Sequence, residues 1–497
     1  MSSIFLPSSL KYVLERVKKI AWALFLVSLP VTSFPFFPRE VGGGTLVRPL
    51  AVYPLVVLIL LITLPRMLTK RLPKTLLSFL PFVCVSLASV LIASLQGVES
   101  SQGVSVSARM LRGLTTLGLG SAMYFTIVLF PQGVDDLRNS IRWVYVGFAL
   151  ALLWSTFQAV YVLYFSATWF EVLSKVQQYV SIRRLFINRV SGLTYEPNWF
   201  ADQISFVLLP WLLASVISGY SVFDRHWRRL TIEWLLLIWS LLVLPFTFSR
   251  AGIFIMLVLV FLSVVSIRVR GDKSPKVPRF LTHSLVKRLL LSLILLLILA
   301  GLIFAAGTKN AFFARLWDYW QRKPDQGYIQ YILGYFEYLG FGARFSYWET
   351  AYRVYQAYPV LGVGLGNYAF YFDEMLPDRP LASMPEVLRS VVPEEGRNRL
   401  VTSKNFYFRL LAETGLLGAA AFLAFLVAIL GCVVYMWLSD QSEARYWAVA
   451  GLLGMVAFIL VAFSFDSFAI PNMWVVFGFI TASAHISHQS PHPGQTT

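Results

Sequence analysis

Residues 413–437 read ETGLLGAAAFLAFLVAILGCVVYMW, and after the opening glutamate this stretch contains no charged side chain. A helix of this length crosses a hydrocarbon core of roughly 30 Å. Similar blocks recur along the 497 residues, of which 57% are hydrophobic and only 13% charged. A soluble domain carries about a quarter charged residues, and a membrane β-barrel would alternate polar and apolar residues. The sequence therefore predicts an all-α, polytopic integral membrane protein.

Hydropathy predicts about twelve transmembrane helices, and their order divides the chain into four parts. Residues 1–306 contain the first nine helices, 307–410 form a large extracytoplasmic loop domain with interfacial helices, 411–489 contain the last three, and 490–497 are a disordered tail. The predicted spans are 20–37, 51–65, 76–97, 111–131, 142–166, 200–218, 232–248, 251–267, 287–306, 413–437, 446–464 and 467–487.

The net charge of +17 does not indicate a nucleic-acid partner, because Lys and Arg collect on the cytoplasmic side of inner-membrane proteins. With both ends in the cytoplasm, the inside segments hold 21 Lys and Arg and the short outside connections hold 9. The remaining 12 lie in 307–410, a segment too long to determine orientation. The pattern therefore predicts a multi-pass protein of the cytoplasmic membrane, with the long loop outside. The lipid bilayer is then one of its partners.

The long loop differs from a disordered linker by its aromatic content, which is typical of a membrane interface. Within it, 343–358 reads as a helix that Pro359 and a run of glycines terminate. For Gly362, Gly364 and Gly366 we expect a plain turn rather than a nucleotide-binding loop, because no strand precedes them. The aromatic residues are Trp317, Tyr319, Trp320, Tyr328, Tyr331, Tyr335, Phe336 and Tyr338.

The predicted topology brings four polar segments to the outer face, and arginines are prominent in them. Several arginines on one face suit a diphosphate, because a guanidinium group binds phosphate through two parallel hydrogen bonds and keeps its charge. Arg250 is the most informative, because it lies between two spans with almost no loop to carry it into water. Plainer interpretations remain open for the others: Arg189 and Lys404 fit residues that reach for headgroups, and Arg353 fits an i,i+4 pair with Glu349.

At these residues the sequence resembles the bacterial O-antigen ligase and O-antigen polymerase superfamily. The resemblance extends from about residue 189 to 425, and the order of its motifs is more specific than any one of them. The motifs are Arg189-x-x-Gly192-x-x-x-Glu196-Pro-Asn198, Ser249-Arg250-x-Gly252, Arg344-x-x-x-Trp348 followed by YPVLGVGLGN at 358–367, and Asn405-x-x-x-x-Leu410-x-x-Glu413-x-Gly415-x-x-Gly418.

The resemblance implies a glycosyltransferase at the outer face of the cytoplasmic membrane, with an undecaprenyl-diphosphate-linked glycan as donor and a glycan or lipid-linked molecule as acceptor. It also implies an enzyme that needs no metal or other cofactor, and the sequence contains no metal-ligand spacing that argues otherwise. By matching position, Arg250 and Arg344 would bind the donor diphosphate. Arg189 and Arg353 are further candidates for the same role.

One position departs from the family pattern. Ligases commonly have a histidine before the asparagine of the last motif, whereas this chain has Lys404. The general base is therefore expected among Lys404, Glu196 and Glu413, and ligase and polymerase remain alternatives. A transporter or flippase for a lipid-linked or anionic substrate is the competing interpretation, but transporters gather their ionisable residues near the bilayer midplane rather than at one face.

Overall fold

The computed structural model describes residues 8–37, 46–95, 97–101, 103–223, 231–266, 283–308, 311–321, 327–378, 384–392, 400–441 and 443–489. These residues are helical throughout their regular regions and form no β-strand, so the all-α prediction is confirmed for them. The expectation of a disordered tail at 490–497 lies outside the described residues.

The helices below are numbered in chain order. They are α1 (Ser8–Val27), α2 (Val52–Thr69), α3 (Lys74–Ser94), α4 (Val106–Leu129), α5 (Val134–Leu163), α6 (Ala167–Gln177), α7 (Pro197–Ser218), α8 (Ile232–Thr247), α9 (Arg250–Ser266), α10 (His283–Gly307), α11 (Ala311–Asp318), α12 (Tyr328–Tyr338), α13 (Phe341–Ala357), α14 (Phe372–Met375), α15 (Pro385–Val391), α16 (Phe406–Leu438), α17 (Ala444–Val461) and α18 (Asn472–Gln489).

Six of these helices are long and apolar enough to cross a membrane, namely α2, α3, α5, α7, α16 and α17. α8, α9 and the part of α10 from Ser292 to Ala305 are also apolar but shorter. The chain is therefore a multi-pass membrane protein. Each of the twelve predicted spans overlaps a helix, but by length and composition only six of the described helices qualify, so the count of twelve stays a prediction.

The first predicted span, 20–37, differs from the structure in its bounds. Helix α1 covers Ser8–Val27, so it begins in the basic segment and ends ten residues early. Pro30 and Pro35 follow it, and proline disfavours a helix interior because it lacks the N–H donor. The chain there pairs instead with the segment before α2, where the N–H of Phe34 donates to the carbonyl oxygen of Arg48 at 2.9 Å.

Helix α7 forms the centre of the bundle, because 89% of the residues in its apolar stretch are buried. It packs against α8, α9, α17 and α18, and α16 packs against α3, α13, α17 and α18. A helix that is apolar on all sides is expected at such a position. One end of this central group, with the beginnings of α7, α9, α13 and α16, forms the candidate site described below.

Helix α16 is broken near its beginning. Gly415 has φ 63° and ψ −166°, which interrupts the helical hydrogen-bond pattern. The segment 358–366, called the glycine loop below, supplies the missing partners. The N–H groups of Val363 and Gly364 donate to the carbonyl oxygens of Ala412 and Glu413, both at 2.9 Å. Such pairing is needed because an unsatisfied backbone group is costly in a membrane.

Glycine is required on both sides of this contact. A Cβ on Gly362 would lie 2.5 Å from the carbonyl oxygen of Ala412, and one on Gly415 would lie 2.4 Å from the carbonyl carbon of Val360. Both glycines also have positive φ, which other residues adopt at a cost. The expectation of a turn in place of a nucleotide-binding loop is confirmed: the glycines fit a backbone against a backbone.

Candidate active site

A cavity of about 1230 Å³ lies among the beginnings of α7, α9, α13 and α16, with α4 on another side. Its lining is rich in charged side chains, which is unusual for a cavity bordered by apolar helices. The cations that line it are Arg109, Arg112, Arg250, Arg344, Lys404 and Arg409. The carboxylates that line it are Glu196, Asp202, Glu386 and Asp466.

Four of the residues predicted from sequence line this one cavity, although they come from distant parts of the chain: Glu196, Arg250, Arg344 and Lys404. Arg189, Arg353 and Glu413 do not line it. The structure thus brings these four residues to one place, and the role of each residue stays a prediction.

Arg250 is fixed by the motif around it. It is the first residue of α9, and the side chain of Ser249 accepts a hydrogen bond from the N–H of Gly252 at 3.3 Å, which caps the helix. A Cβ on Gly252 would lie 2.4 Å from the Cβ of Ala201, so this glycine allows α9 to pack directly on α7. Arg250 Nη1 donates to the carbonyl oxygen of Leu339 at 2.7 Å, which directs the guanidinium group along the cavity wall.

Arg189 does not line the cavity, but it contacts the turn that precedes Arg250. Its Nε donates to the carbonyl oxygen of Thr247 at 2.9 Å, and its Nη2 donates to Asn198 Oδ1 at 2.8 Å. Burial lowers the pKa of Arg189 to about 10, with Glu196 opposing the shift and Arg250 adding to it. The group therefore keeps its charge near neutral pH. Arg189 therefore joins the first motif to the turn before Arg250.

Arg344 and Asp202 face the cavity together. Arg344 lies in the first turn of α13 and forms no hydrogen bond or ion pair with another described residue. Asp202, on α7, is 5% exposed, and its Oδ1 has no hydrogen-bond partner within the described residues. The charge of Arg344 acts on Asp202. Sequence analysis missed Asp202, although an ionisable residue inside an apolar span is itself a functional signal.

Lys404 is held by contacts of both its backbone and its side chain. Its backbone N–H donates to Asp466 Oδ2 at 2.7 Å, and its ammonium group pairs with Glu386 and lies 4.7 Å from the centre of the Tyr347 ring. Burial lowers the pKa of Lys404, and the charge of Arg344 lowers it further, while Asp466 and Glu196 oppose the shift.

Backbone strain points to the same cavity. Among the described non-glycine residues, the two with positive φ are Phe248 at 46° and Lys404 at 52°, and both line the cavity. Such conformations are costly for a bulky residue and tend to persist at functional sites. Phe248 also lies two residues before Arg250. The strain is therefore an indication of function that does not depend on the motifs.

The remaining predicted residues already have partners. Glu413 is 3% exposed, and its Oε2 accepts a hydrogen bond from Arg409 Nε at 2.8 Å. Arg353 pairs with Glu349 at 3.0 Å on the exposed side of α13, as the i,i+4 interpretation expected. Glu196 lines the cavity, but its Oε1 lies 3.1 Å from Arg183 Nη1.

The cavity is also bordered by residues that sequence analysis did not select: Arg109 and Arg112 on α4, and Asp466 before α18. The two arginines were counted only as charges of a short outside connection. Among the described residues, no group of three or more His, Cys, Asp or Glu is arranged to hold a metal ion.

Comparison with protein families finds a match over part of the chain. Residues 235–423 match the model of the family described as O-antigen ligase. The matched region runs from α8 past the break in α16, and it includes Arg250, Arg344, the glycine loop and Lys404. No curated protein matches the chain significantly.

Proposed function

We propose that the chain, whose residues 235–423 match the O-antigen ligase family, is a membrane-embedded glycosyltransferase of cell-surface polysaccharide synthesis. In this proposal it transfers or polymerises a glycan carried on undecaprenyl diphosphate, at the outer face of the cytoplasmic membrane and without a metal. The observation that carries the proposal is the meeting of Arg250 and Arg344 in one cavity between apolar helices.

The donor diphosphate would bind between Arg250 and Arg344. Two guanidinium groups on separate helices fit the oxygens of a diphosphate, and their charge is stronger in a cavity with little water. When the bond between the sugar and the diphosphate breaks, the lipid diphosphate gains negative charge, which fixed arginines stabilise. A ligand whose lipid tail lies in the bilayer also explains why Arg250 lies at the beginning of an apolar helix.

The acceptor hydroxyl must lose its proton as its oxygen attacks the anomeric carbon. Within the described residues no histidine lines the cavity, and the basic groups predicted from sequence are paired: Lys404 with Glu386, Glu196 with Arg183 and Glu413 with Arg409. Asp202 has a carboxylate oxygen without a hydrogen-bond partner among those residues. Asp202 is therefore the proposed base, ahead of Lys404, Glu196 and Glu413.

The proposal is tested with the protein purified in detergent and an undecaprenyl-diphosphate oligosaccharide, with and without a lipid A–core acceptor. A ladder of chain lengths from the donor alone identifies a polymerase, and a single larger product that requires the core identifies a ligase. Binding of the donor without any transfer contradicts the enzyme proposal and favours a transporter or flippase.

The matched variants are Arg250→Lys and Arg184→Lys. Removing one fixed group that stabilises developing charge typically costs about 10²–10³ in rate, and lysine keeps the charge but loses the two-pronged geometry. We expect a loss of this size for Arg250→Lys. Arg184 is exposed and does not line the cavity, so its variant is expected to keep full activity. Full activity of a well-folded Arg250→Lys protein refutes the diphosphate site.

A further inference from the structure

The cavity has a second cationic wall that donor binding does not use. Arg109 and Arg112 are three residues apart on α4 and therefore lie on one face of that helix. Gly113 and Thr116 of the same face also line the cavity. One side of α4 is thus directed at the site, with its two arginines at the end where the helix begins.

Arg109 is anchored while its outer nitrogens stay available. Its Nε donates to the carbonyl oxygen of Gly366 at 2.9 Å, at the end of the glycine loop. Its Nη atoms form no further hydrogen bond with described residues, and Arg112 forms no hydrogen bond or ion pair with them. Two guanidinium groups at a cavity, one of them fixed by a neighbouring backbone, form a suitable frame for an anion.

The two cationic walls have different electrostatic neighbours. The charges that act on Arg109 are those of Arg112, Arg409, Glu413 and Asp466. The two walls are formed by different helices: Arg109 and Arg112 lie on α4, whereas Arg250 and Arg344 lie on α9 and α13.

Arg250, on the opposite wall, has other charged neighbours. The arginine charges that act on Arg250 come from Arg315 and Arg344. Lys404 lines the same cavity, its backbone N–H donates to Asp466 Oδ2 at 2.7 Å, and the charge of Arg344 acts on its ammonium group. Both cationic walls therefore border one continuous space in which two bound substrates could meet.

We propose that Arg109 and Arg112 form a second anion site, which binds a phosphate or diphosphate group of the acceptor. The inference rests on the proposed function and adds the residues that would bind the acceptor. The cavity has a volume of about 1230 Å³, which exceeds the roughly 300–1,000 Å³ of a pocket for one small ligand. It therefore has room for two polar head groups. The acceptor is then a second lipid diphosphate glycan or a phosphorylated lipid core.

The first test counts anion sites independently of activity. Inorganic pyrophosphate is titrated into the purified protein and binding is measured by calorimetry. Two sites per chain are expected for the wild type, one for Arg112→Gln and one for Arg250→Lys, with Arg184→Gln unchanged at two. A single site in the wild type overturns the proposal, as does a count of two in Arg112→Gln.

The second test is kinetic and separates the two substrates. Loss of a hydrogen bond to a charged group costs about 1.5–3 kcal/mol, so Arg112→Gln is expected to raise KM for the acceptor roughly 10- to 100-fold. KM for the donor, measured in transfer onto the core, where donor and acceptor are different molecules, is expected to stay unchanged. A loss confined to ladder formation identifies a lipid diphosphate acceptor, and a loss confined to transfer onto the core identifies a phosphorylated lipid. An increased donor KM overturns the inference but leaves the proposed function intact.

Folding is checked by the elution profile and thermal midpoint of each variant. If Arg112→Gln does not fold, Arg112→Lys replaces it, and a smaller increase in acceptor KM is expected because one charge remains without the fork geometry. If the wild type transfers no glycan, the proposed function fails. The pyrophosphate count then still decides whether the second site exists.

Discussion

Replacing Gly362 with alanine tests the contact between the glycine loop and the break in α16. The added Cβ would lie 2.5 Å from the carbonyl oxygen of Ala412 and 2.6 Å from the backbone nitrogen of Thr414. Both neighbours are backbone atoms, which cannot move aside as the end of a flexible side chain would. The loop must therefore separate from α16.

The expected cost has two parts. Alanine at a positive φ costs about 1–2 kcal/mol. Separation also breaks the hydrogen bonds from Val363 to Ala412 and from Gly364 to Glu413, and each buried hydrogen bond lost without replacement costs about 1–3 kcal/mol. The total is roughly 3–8 kcal/mol, a large part of the stability of a typical domain, which is about 5–15 kcal/mol.

The assay is thermal unfolding in detergent, with Gly219→Ala as the control. Gly219 has φ 68°, close to the 66° of Gly362, but a Cβ there meets nothing within 4 Å. The control carries the backbone strain alone, so its midpoint should fall much less than that of Gly362→Ala. Equal midpoints for the two variants refute the reasoning that the loop is seated in the break.

Two further predictions concern the chemistry of the cavity. Asp202→Asn keeps the size of the side chain but removes the proton acceptor. We therefore expect a transfer rate about 10²–10⁴-fold lower, measured by ladder formation, at an unchanged donor affinity, measured by donor titration. A rate within threefold of wild type excludes Asp202 as the base. Because burial lowers the pKa of Lys404, this residue loses its charge at a lower pH than an ordinary lysine. If the charge serves substrate binding, the rate falls as pH rises through that pKa, and Lys404→Arg moves the fall to higher pH; a rate that rises there makes Lys404 the base instead.

The helices were predictable because apolar length is a local property of the sequence. The predicted loop helix at 343–358 corresponds to α13 at Phe341–Ala357, which ends before Pro359. The break in α16 was not predictable, although its glycines are visible in the sequence. The groups that satisfy it lie about fifty residues earlier, and no local pattern joins Val363 to Ala412.

The site was predictable in part, because the motifs identify residues that belong together without showing how each contributes. Arg250 lines the cavity, whereas Arg189 of a similar motif holds the backbone beside it. Glu413 lies against Arg409 rather than in the cavity. Supporting and lining residues occur in the same motifs, so sequence alone does not separate them. Asp202 had a visible signal, its charge within an apolar span, whereas the position of Arg112 depended on how α4 packs.

The break in α16 also has a consequence for how the protein is made. A helix that enters hydrocarbon with an open backbone carries a penalty until its free groups find partners. The glycine loop precedes α16 in the chain, so the ribosome releases it first. Insertion of α16 can then follow docking of a segment that is already synthesised. The order of the chain therefore allows the glycine loop to be in place before the last three helices are complete.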